Sequence, residues 1–295
     1  MTIPQKTNRE IFIIGGGPAG IAAAIQLKRY RLEPVLFEKH QLGGLLWNAN
    51  LVENYPGFPN GVEGSKLIHL MKKQIERIGV EMRGEEVLKV GWEEEALSIV
   101  TQHTAHSTNC LIVASGTKSR PLPNVISPEA RDKIFTEVWP LLKEEGKRVV
   151  IIGAGDAAFD YALNLSKKRN NVTILNRGET VKCLELLSER AAREPRIAYR
   201  AGMRVRQIRL DKTAASLKVE CEAETVDADY VLFAIGRVSN LGFLSDEILR
   251  RERELVESGR LYFIGDVKNE LYRQAAIAAG DGLRAAMRIY SRISK

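Results

Sequence analysis

Two short stretches of this sequence can bind a pyrophosphate. The first is Ile11-Phe-Ile-Ile-Gly15-Gly-Gly17-Pro-Ala-Gly20, and an acid, Glu38, closes the apolar run that begins at Pro34. The second is Val149-Val-Ile-Ile-Gly153-Ala-Gly155-Asp156-Ala157-Ala158, and Asn176 closes the run that begins at Val172. In each copy 23 residues separate the first glycine from the residue that closes the second run. A helix opening at such a loop offers free N–H groups and the positive end of its dipole to an anion. Glycine lets the backbone approach the pyrophosphate, and a third glycine or alanine lets helix and strand pack closely. A carboxylate at the end of the second strand accepts hydrogen bonds from ribose hydroxyls, which is the part open to Glu38. The second copy has Asn176 there, followed by Arg177 with Lys182 nearby. A carboxylate would repel a 2′-phosphate and an arginine would bind it, so this copy is expected to favour NADPH, with NADH as the alternative. The other reading of Arg177 is a solvated loop residue. Two dinucleotide sites in one chain of 295 residues suit a flavin that exchanges electrons with a nicotinamide.

The elements that must position these loops can be read from periodicity and punctuation. Strand 11–14, the loop 15–20, an alanine-rich helix 21–30 and strand 34–38 form the first unit. Residues 63–79 have helical spacing, with Leu67, Ile68, Met71, Ile75 and Ile78 on one face. Segments 80–90 and 96–101 read as strands around a turn at 91–95, and strand 110–114 ends in Ala114-Ser-Gly116. Pro121 and Pro123 mark a break. The second unit repeats the pattern: strand from 149, helix 156–168, strand 172–176, strands near 204–210 and 216–221, then a strand ending in Ala234-Ile-Gly236. A last strand, 261–265, and a helix, 273–291, have no counterpart in the second unit and are expected to complete the first. The fold class is therefore α/β, with two Rossmann-like, three-layer ββα dinucleotide-binding domains, the second inserted in the first. Residues 1–117 and 241–295 would form the FAD-binding domain and 118–240 the NAD(P)H-binding domain.

Composition narrows the class. With 44% hydrophobic and 27% charged residues the chain is that of a soluble globular protein. No apolar run approaches the ~20 residues of a membrane span, and residues 1–10 lack the apolar stretch of a signal peptide, so a cytoplasmic location is the default. The net charge of +7 suits an acidic protein partner or a phosphorylated ligand, or is simply a basic surface. Arginines cluster at 190–209, but glutamates interrupt them and no aromatic ladder accompanies them, which argues against nucleic acid. Cys110, Cys183 and Cys221 form no Cys-x-x-Cys pair and no zinc spacing, and the four histidines show no triad, so no metal is expected. Cys110 reads as a buried strand residue.

Further motifs carry a resemblance. Gly43-Gly44 followed by Val52-Glu-Asn54-Tyr-Pro-Gly57, then Ala234-Ile-Gly236-Arg237, then Gly265-Asp266-Val267 with Tyr272-Arg273-Gln274-Ala275, occur in that order. With the two Gly-rich units they make the chain closely similar to the low-molecular-weight thioredoxin reductase family of two-dinucleotide flavoproteins. The resemblance implies FAD and NADPH as cofactors and a homodimer. It assigns Gly15, Gly17, Pro18, Ala19 and Gly20 to the FAD pyrophosphate and Glu38 to its ribose. Gly44, Leu45, Asn54 and Val87 would line the flavin and ribityl region. Asp266 would hydrogen-bond the ribityl chain, and the backbones of Gln274 and Ala275 would approach the pyrimidine edge of the ring. Gly116, Gly265 and Arg273 belong with the same motifs. Gly153, Gly155, Asp156, Ala157, Arg177, Lys182 and Gly236 would hold NADPH.

One departure is decisive. The family's redox Cys-x-x-Cys falls, by spacing from Gly153, on Thr136-Glu-Val-Trp139. Neither Thr136 nor Trp139 can form a disulfide, so a dithiol relay to thioredoxin is excluded on this reading. The same departure occurs in a sister group, the thioredoxin-reductase-like ferredoxin–NADP reductases, which implies an acidic carrier such as ferredoxin or flavodoxin. This chain lacks that group's C-terminal extension; Tyr290 reads as a packing residue. Trp47 reads as loop packing or as a cover on the flavin. A flavoenzyme that reduces a small molecule or acts as an oxidase, and a non-catalytic FAD-binding module, remain as alternatives.

Overall fold

A computed structural model describes residues 10–294. The expectation about a signal peptide concerns residues 1–10, of which 1–9 lie outside the described residues. In chain order the first elements are β1 (Ile11–Ile14), α1 (Pro18–Arg29), β2 (Pro34–Phe37), α2 (Gly64–Ile78), β3 (Glu81–Arg83), β4 (Val87–Glu93), β5 (Ala96–Thr101), β6 (Ala105–Thr108), β7 (Cys110–Val113) and β8 (Thr117–Ser119). There follow β9 (Ile134–Phe135), β10 (Arg148–Ile152), α3 (Asp156–Ser166), β11 (Asn171–Leu175), α4 (Glu185–Arg193), β12 (Ile197–Arg200), β13 (Val205–Asp211), β14 (Ser216–Cys221), β15 (Thr225–Ala228), β16 (Tyr230–Phe233) and β17 (Arg237–Ser239). The chain closes with α5 (Asp246–Arg250), α6 (Glu252–Glu257), β18 (Leu261–Phe263) and α7 (Ala275–Ile293).

These elements fall into two units. One holds the chain up to Trp47, Glu53–Lys118 and everything from Val238; the other holds Asn48–Val52 and Ser119–Arg237. Residues 48–52, placed by the sequence reading in the first domain, thus group with the second unit. Each unit has a five-stranded parallel sheet and a three-stranded antiparallel one. The first unit has the order β18-β7-β1-β2-β3 beside β4-β5-β6, and the second has β12-β11-β10-β16-β9 beside β13-β14-β15. Parallel strands buried on both faces read as unbroken apolar runs, which is why 11–14 and 149–152 were legible. In the first unit Phe12, Phe37, Val90, Leu97, Ile99, Leu111 and Leu261 share one core. In the second, Ile151, Phe159, Leu165 and Ile174 pack on one side of the sheet and Val150, Leu175, Val219 and Val231 on the other.

The second unit corrects one expectation. Its β9 pairs with β16 as β18 pairs with β7, both parallel, so the final strand of the chain does have a counterpart. It comes from before the Gly-rich loop, not after it. The segment 91–95 is not a turn: β4 and β5 pair up to Glu93 and Ala96, and only Glu94 and Glu95 turn, at φ 48° and 64°. Strand Ala105–Thr108 and helix Glu185–Arg193 were not expected. α1 starts at Pro18 inside the Gly-rich loop because proline is preorganised for the first helical position. α2 stops at Gly79, which caps it in the left-handed conformation at φ 71°.

The arginines of 190–209 are mostly matched by acids. Arg200 meets Glu224 at 2.8 Å, Arg204 and Arg206 meet Glu222, and Arg209 meets Glu220. Tyr290 stacks on Tyr30 with ring centroids 4.1 Å apart, the packing role expected of it. Among the described residues no helix is long and apolar enough to cross a membrane, and no group of three or more His, Cys, Asp or Glu could hold a metal.

Candidate functional site

All the Gly-rich and acidic positions lie at the carboxyl ends of parallel strands, where open α/β sheets bind ligands. The two first glycines repeat one geometry. Gly15 has φ +107° and a Cβ on it would stand 2.3 Å from the Ala114 carbonyl oxygen. Gly153 has φ +124° and its Cβ would stand 2.3 Å from the Ala234 carbonyl oxygen. In each copy, then, the loop leaves the first strand by crossing over the strand that ends in Ala-x-Gly.

In the first unit α1 is N-capped by the backbone of Gly17, with no side-chain cap and no acid in its first turn. Nothing lies within 4 Å of where a Cβ of Gly17 would be. Gly44 lies against this loop, its Cβ position 3.3 Å from the Gly17 Cα, and Gly43 donates its N–H to the Gly16 carbonyl at 2.8 Å. Glu38 is held at the loop's mouth: its carboxylate accepts the Gly16 N–H at 2.7 Å and the His40 N–H at 3.0 Å. Gly265 packs on Ala19, and Asp266 follows it in a short 3-10 turn. The Asn54 amide donates to Gln274 Oε1 at 2.6 Å, joining motifs 220 residues apart. Gln274 precedes α7, which also starts with no side-chain cap and no acid in its first turn. Arg273 leaves its Nε buried without a hydrogen-bond partner. Gly116, at φ +62°, closes the strand beside Gly15. Leu45 sits in the 3-10 turn Gly44–Asn48. Val87 is the exception among the expected residues: its side chain is in the core of the unit.

The second unit contains a cavity of about 980 Å³. Gly153, Gly155, Asp156, Ala157, Arg177, Lys182 and Gly236 all line it, together with Thr136 of the expected dithiol position and with Arg120, Tyr161, Met203 and Arg204, which were not expected there. α3 starts at Asp156, and its N-cap Gly155 again leaves it without a side-chain cap. Asp156 Oδ1 accepts the Leu184 N–H at 2.8 Å, and Lys182 donates its N–H to the Ala154 carbonyl at 3.1 Å. The loop after β11 is therefore drawn over the Gly-rich turn. Burial, with Glu137 beside it, pushes the Tyr161 phenol up, so it stays an O–H donor at every physiological pH.

Where the resemblance puts a dithiol, a fixed polar loop stands. Asn48 is 3% exposed, and its Oδ1 accepts the N–H groups of Val138 and Trp139, both at 3.1 Å. Its amide donates to Glu137 Oε2, while Glu137 Oε1 accepts from Arg237 at 2.7 Å. Thr136 faces the cavity and Trp139 is exposed. Cys110 is buried in β7 as expected, and Cys183 and Cys221 are free thiols. Burial pushes the Cys183 and Cys221 thiols up, away from the thiolate a nucleophile needs. The Trp47 indole donates to the Leu42 carbonyl at 2.9 Å, which ties down its own loop.

Asp281 was also missed. It is 6% exposed in α7, and it accepts from the Gly265 N–H at 3.2 Å and the Asn269 amide at 2.7 Å and pairs with Lys268 at 3.3 Å. An acid on the buried face of α7, among Ala278, Gly282 and Ala285, was the available signal. It anchors the turn that carries Asp266.

Comparison with known proteins agrees with this geometry. Residues 9–282 match the family described as pyridine nucleotide-disulphide oxidoreductase. The thioredoxin reductase of Streptomyces coelicolor is 31% identical over 301 residues, covering 95% of this chain and 92% of that protein. That of Chlamydia pneumoniae is 30% identical, covering 94% and 96%. Among solved structures, Lactococcus lactis thioredoxin reductase has a TM-score of 0.81 at 23% identity, covering 97% of this chain and 99% of that one. The bacillithiol disulfide reductase of Staphylococcus aureus has a TM-score of 0.72 at 19% identity, covering 96% and 99%. At these identities the structural likeness is one of fold.

Proposed function

The chain belongs to the pyridine nucleotide-disulphide oxidoreductase family, and from that premise we propose that it passes electrons from NADPH through FAD to an acceptor other than a dithiol of its own. It is an FAD-dependent NAD(P)H oxidoreductase of the thioredoxin reductase-like kind. Bound FAD supplies the ring that takes hydride from the nicotinamide and releases electrons. Everything else is positional.

The first unit fits FAD. The uncapped start of α1 and the open space before Gly17 suit a pyrophosphate. Glu38, already oriented by two backbone N–H groups, keeps lone pairs for ribose hydroxyls. Asp266, on the turn that Asp281 steadies, and the Asn54–Gln274 pair would hold the ribityl and ring end. The positive end of α7 favours negative charge near Ala275. In the second unit the start of α3 would hold the pyrophosphate of NADPH, and Arg177 with Lys182, which line the cavity, would hold its 2′-phosphate. The observation that supports this reading best is the duplicated geometry: the same crossing of Gly15 and Gly153 over a strand end, each followed by an uncapped helix.

What occupies the dithiol position supports the reading of the acceptor. Thr136, Glu137 and Trp139 are redox-inert, and the loop is fixed through Asn48 and Arg237. With FAD bound, electrons would leave without a dithiol relay, and the net charge of +7 favours an acidic carrier of the ferredoxin or flavodoxin type. A homodimer fits the family resemblance, and a cytoplasmic location is the expectation. With NADPH and flavodoxin, turnover should fall roughly tenfold as salt rises from low to ~0.3 M. Oxidised thioredoxin should give no turnover. A salt-independent rate, or equal turnover with a small disulfide and no carrier, would contradict the carrier assignment.

A further inference from the structure

The loop that carries Arg177 is shaped from beneath by one buried amide. Asn176, the residue just before it, is 9% exposed. Its Nδ2 donates one hydrogen to the Thr180 carbonyl at 3.0 Å and the other to the Tyr199 hydroxyl at 2.9 Å. Its Oδ1 accepts the Gly178 N–H at 3.1 Å. Its own backbone is equally committed: Asn176 N–H to the Arg200 carbonyl at 2.9 Å, and Met203 N–H to the Asn176 carbonyl at 2.8 Å. Gly202 adds a bond to the Gly178 carbonyl at 3.2 Å. Tyr199 in turn packs its ring near that of Phe159, centroids 6.0 Å apart. At the far end Lys182 and Leu184 are tied to Ala154 and Asp156. Between these anchors Arg177 is exposed and lines the cavity.

We propose that Asn176, supported by Tyr199, is a positioning residue for recognition of the 2′-phosphate. It acts through Arg177 and does not address the ribose itself. The inference rests on the reading of this cavity as the NADPH site. Asparagine fits because the fork needs two donors and one acceptor on the same side chain. An aspartate there would offer acceptors only. It would face the Thr180 carbonyl with like charge and leave that oxygen unpaired. The common expectation that an acid at the end of the second strand creates an NADH site therefore fails in this chain, because the side chain is turned into the loop.

The test uses the FAD-loaded protein and two probes, adenosine 2′,5′-bisphosphate and AMP, with affinities measured by calorimetry. Asn176→Asp should weaken the bisphosphate by about tenfold or more, and Tyr199→Phe by about threefold, while AMP changes by less than about twofold. In flavin-reduction assays Asn176→Asp should raise the apparent KM for NADPH and bring no gain with NADH. Equal weakening of both probes, or a gain with NADH, would overturn the proposal. A wild-type preference for the bisphosphate that survives Asn176→Asp would overturn it while leaving the NADPH reading intact. A wild-type protein that binds both probes equally would overturn the NADPH reading and the proposal with it. Should Asn176→Asp fail to fold, Tyr199→Phe keeps the ring on Phe159 and carries the same comparison.

Discussion

Gly17→Val is expected to give a folded, soluble and colourless protein. At φ −76° the backbone of Gly17 suits any residue, and nothing lies within 4 Å of the added Cβ, so the fold has no reason to resist it. The new side chain instead fills the space in front of the uncapped N–H groups of α1. A pyrophosphate kept away from that helix start forfeits charge-assisted hydrogen bonds of about 1.5–3 kcal/mol each. Losing two of them lowers FAD affinity by more than ~100-fold. Neighbouring glycines behave differently. A Cβ on Gly15 would meet the Ala114 carbonyl at 2.3 Å, and one on Gly20 the Gly15 carbonyl at 1.9 Å, so those variants should damage the fold itself. The check is flavin content per protein beside a thermal unfolding curve. A Gly17→Val protein with full flavin content would contradict the assignment of this loop.

Arg177→Ala should separate the two nicotinamide cofactors. The guanidinium is exposed in a loop pinned at both ends, and it lines the second unit's cavity. Removing a charge-assisted contact to a phosphate costs about 1.5–3 kcal/mol, so the KM for NADPH should rise about 10- to 100-fold. The 2′-phosphate lies far from the reacting carbon, so its contact is equal in ground and transition state and kcat should hold. NADH, which lacks that phosphate, should change by less than about twofold. Lys182, also exposed, should give the same pattern more weakly, as a point charge without the guanidinium fork. An equal loss with NADPH and NADH would contradict the role given to Arg177.

Much of this was legible in the sequence because it is local. A strand, a Gly-rich turn and a helix are written within a dozen residues, and Gly15 and Gly153 each announce a close crossing that no other residue permits. The insertion was inferred from a last strand and helix thought to be unmatched in the second unit, a premise that β9 overturns. What was not legible depends on partners distant in sequence. β9 is two residues long, too short for any period to show, and only pairing with β16 reveals that it fills the edge place of β18. Asn176 reads as a missing acid in the sequence, whereas its partner Tyr199 lies 23 residues away on the next strand. Asn48 and Glu137 are joined across 89 residues, and nothing near either announces the other. The arginine cluster was read only as an unpromising nucleic-acid site, and strand pairing is what sets Glu220 and Glu222 beside Arg209 and Arg206.

The central claim is that one chain joins an FAD site to an NADPH site and that electrons pass between them. Anaerobic mixing of the flavin-loaded protein with NADPH, followed at the flavin's visible absorption band, tests it most directly. The account predicts rapid and complete bleaching, with NADH slower at equal concentration. An oxidised spectrum that persists in the presence of excess NADPH and NADH would contradict it.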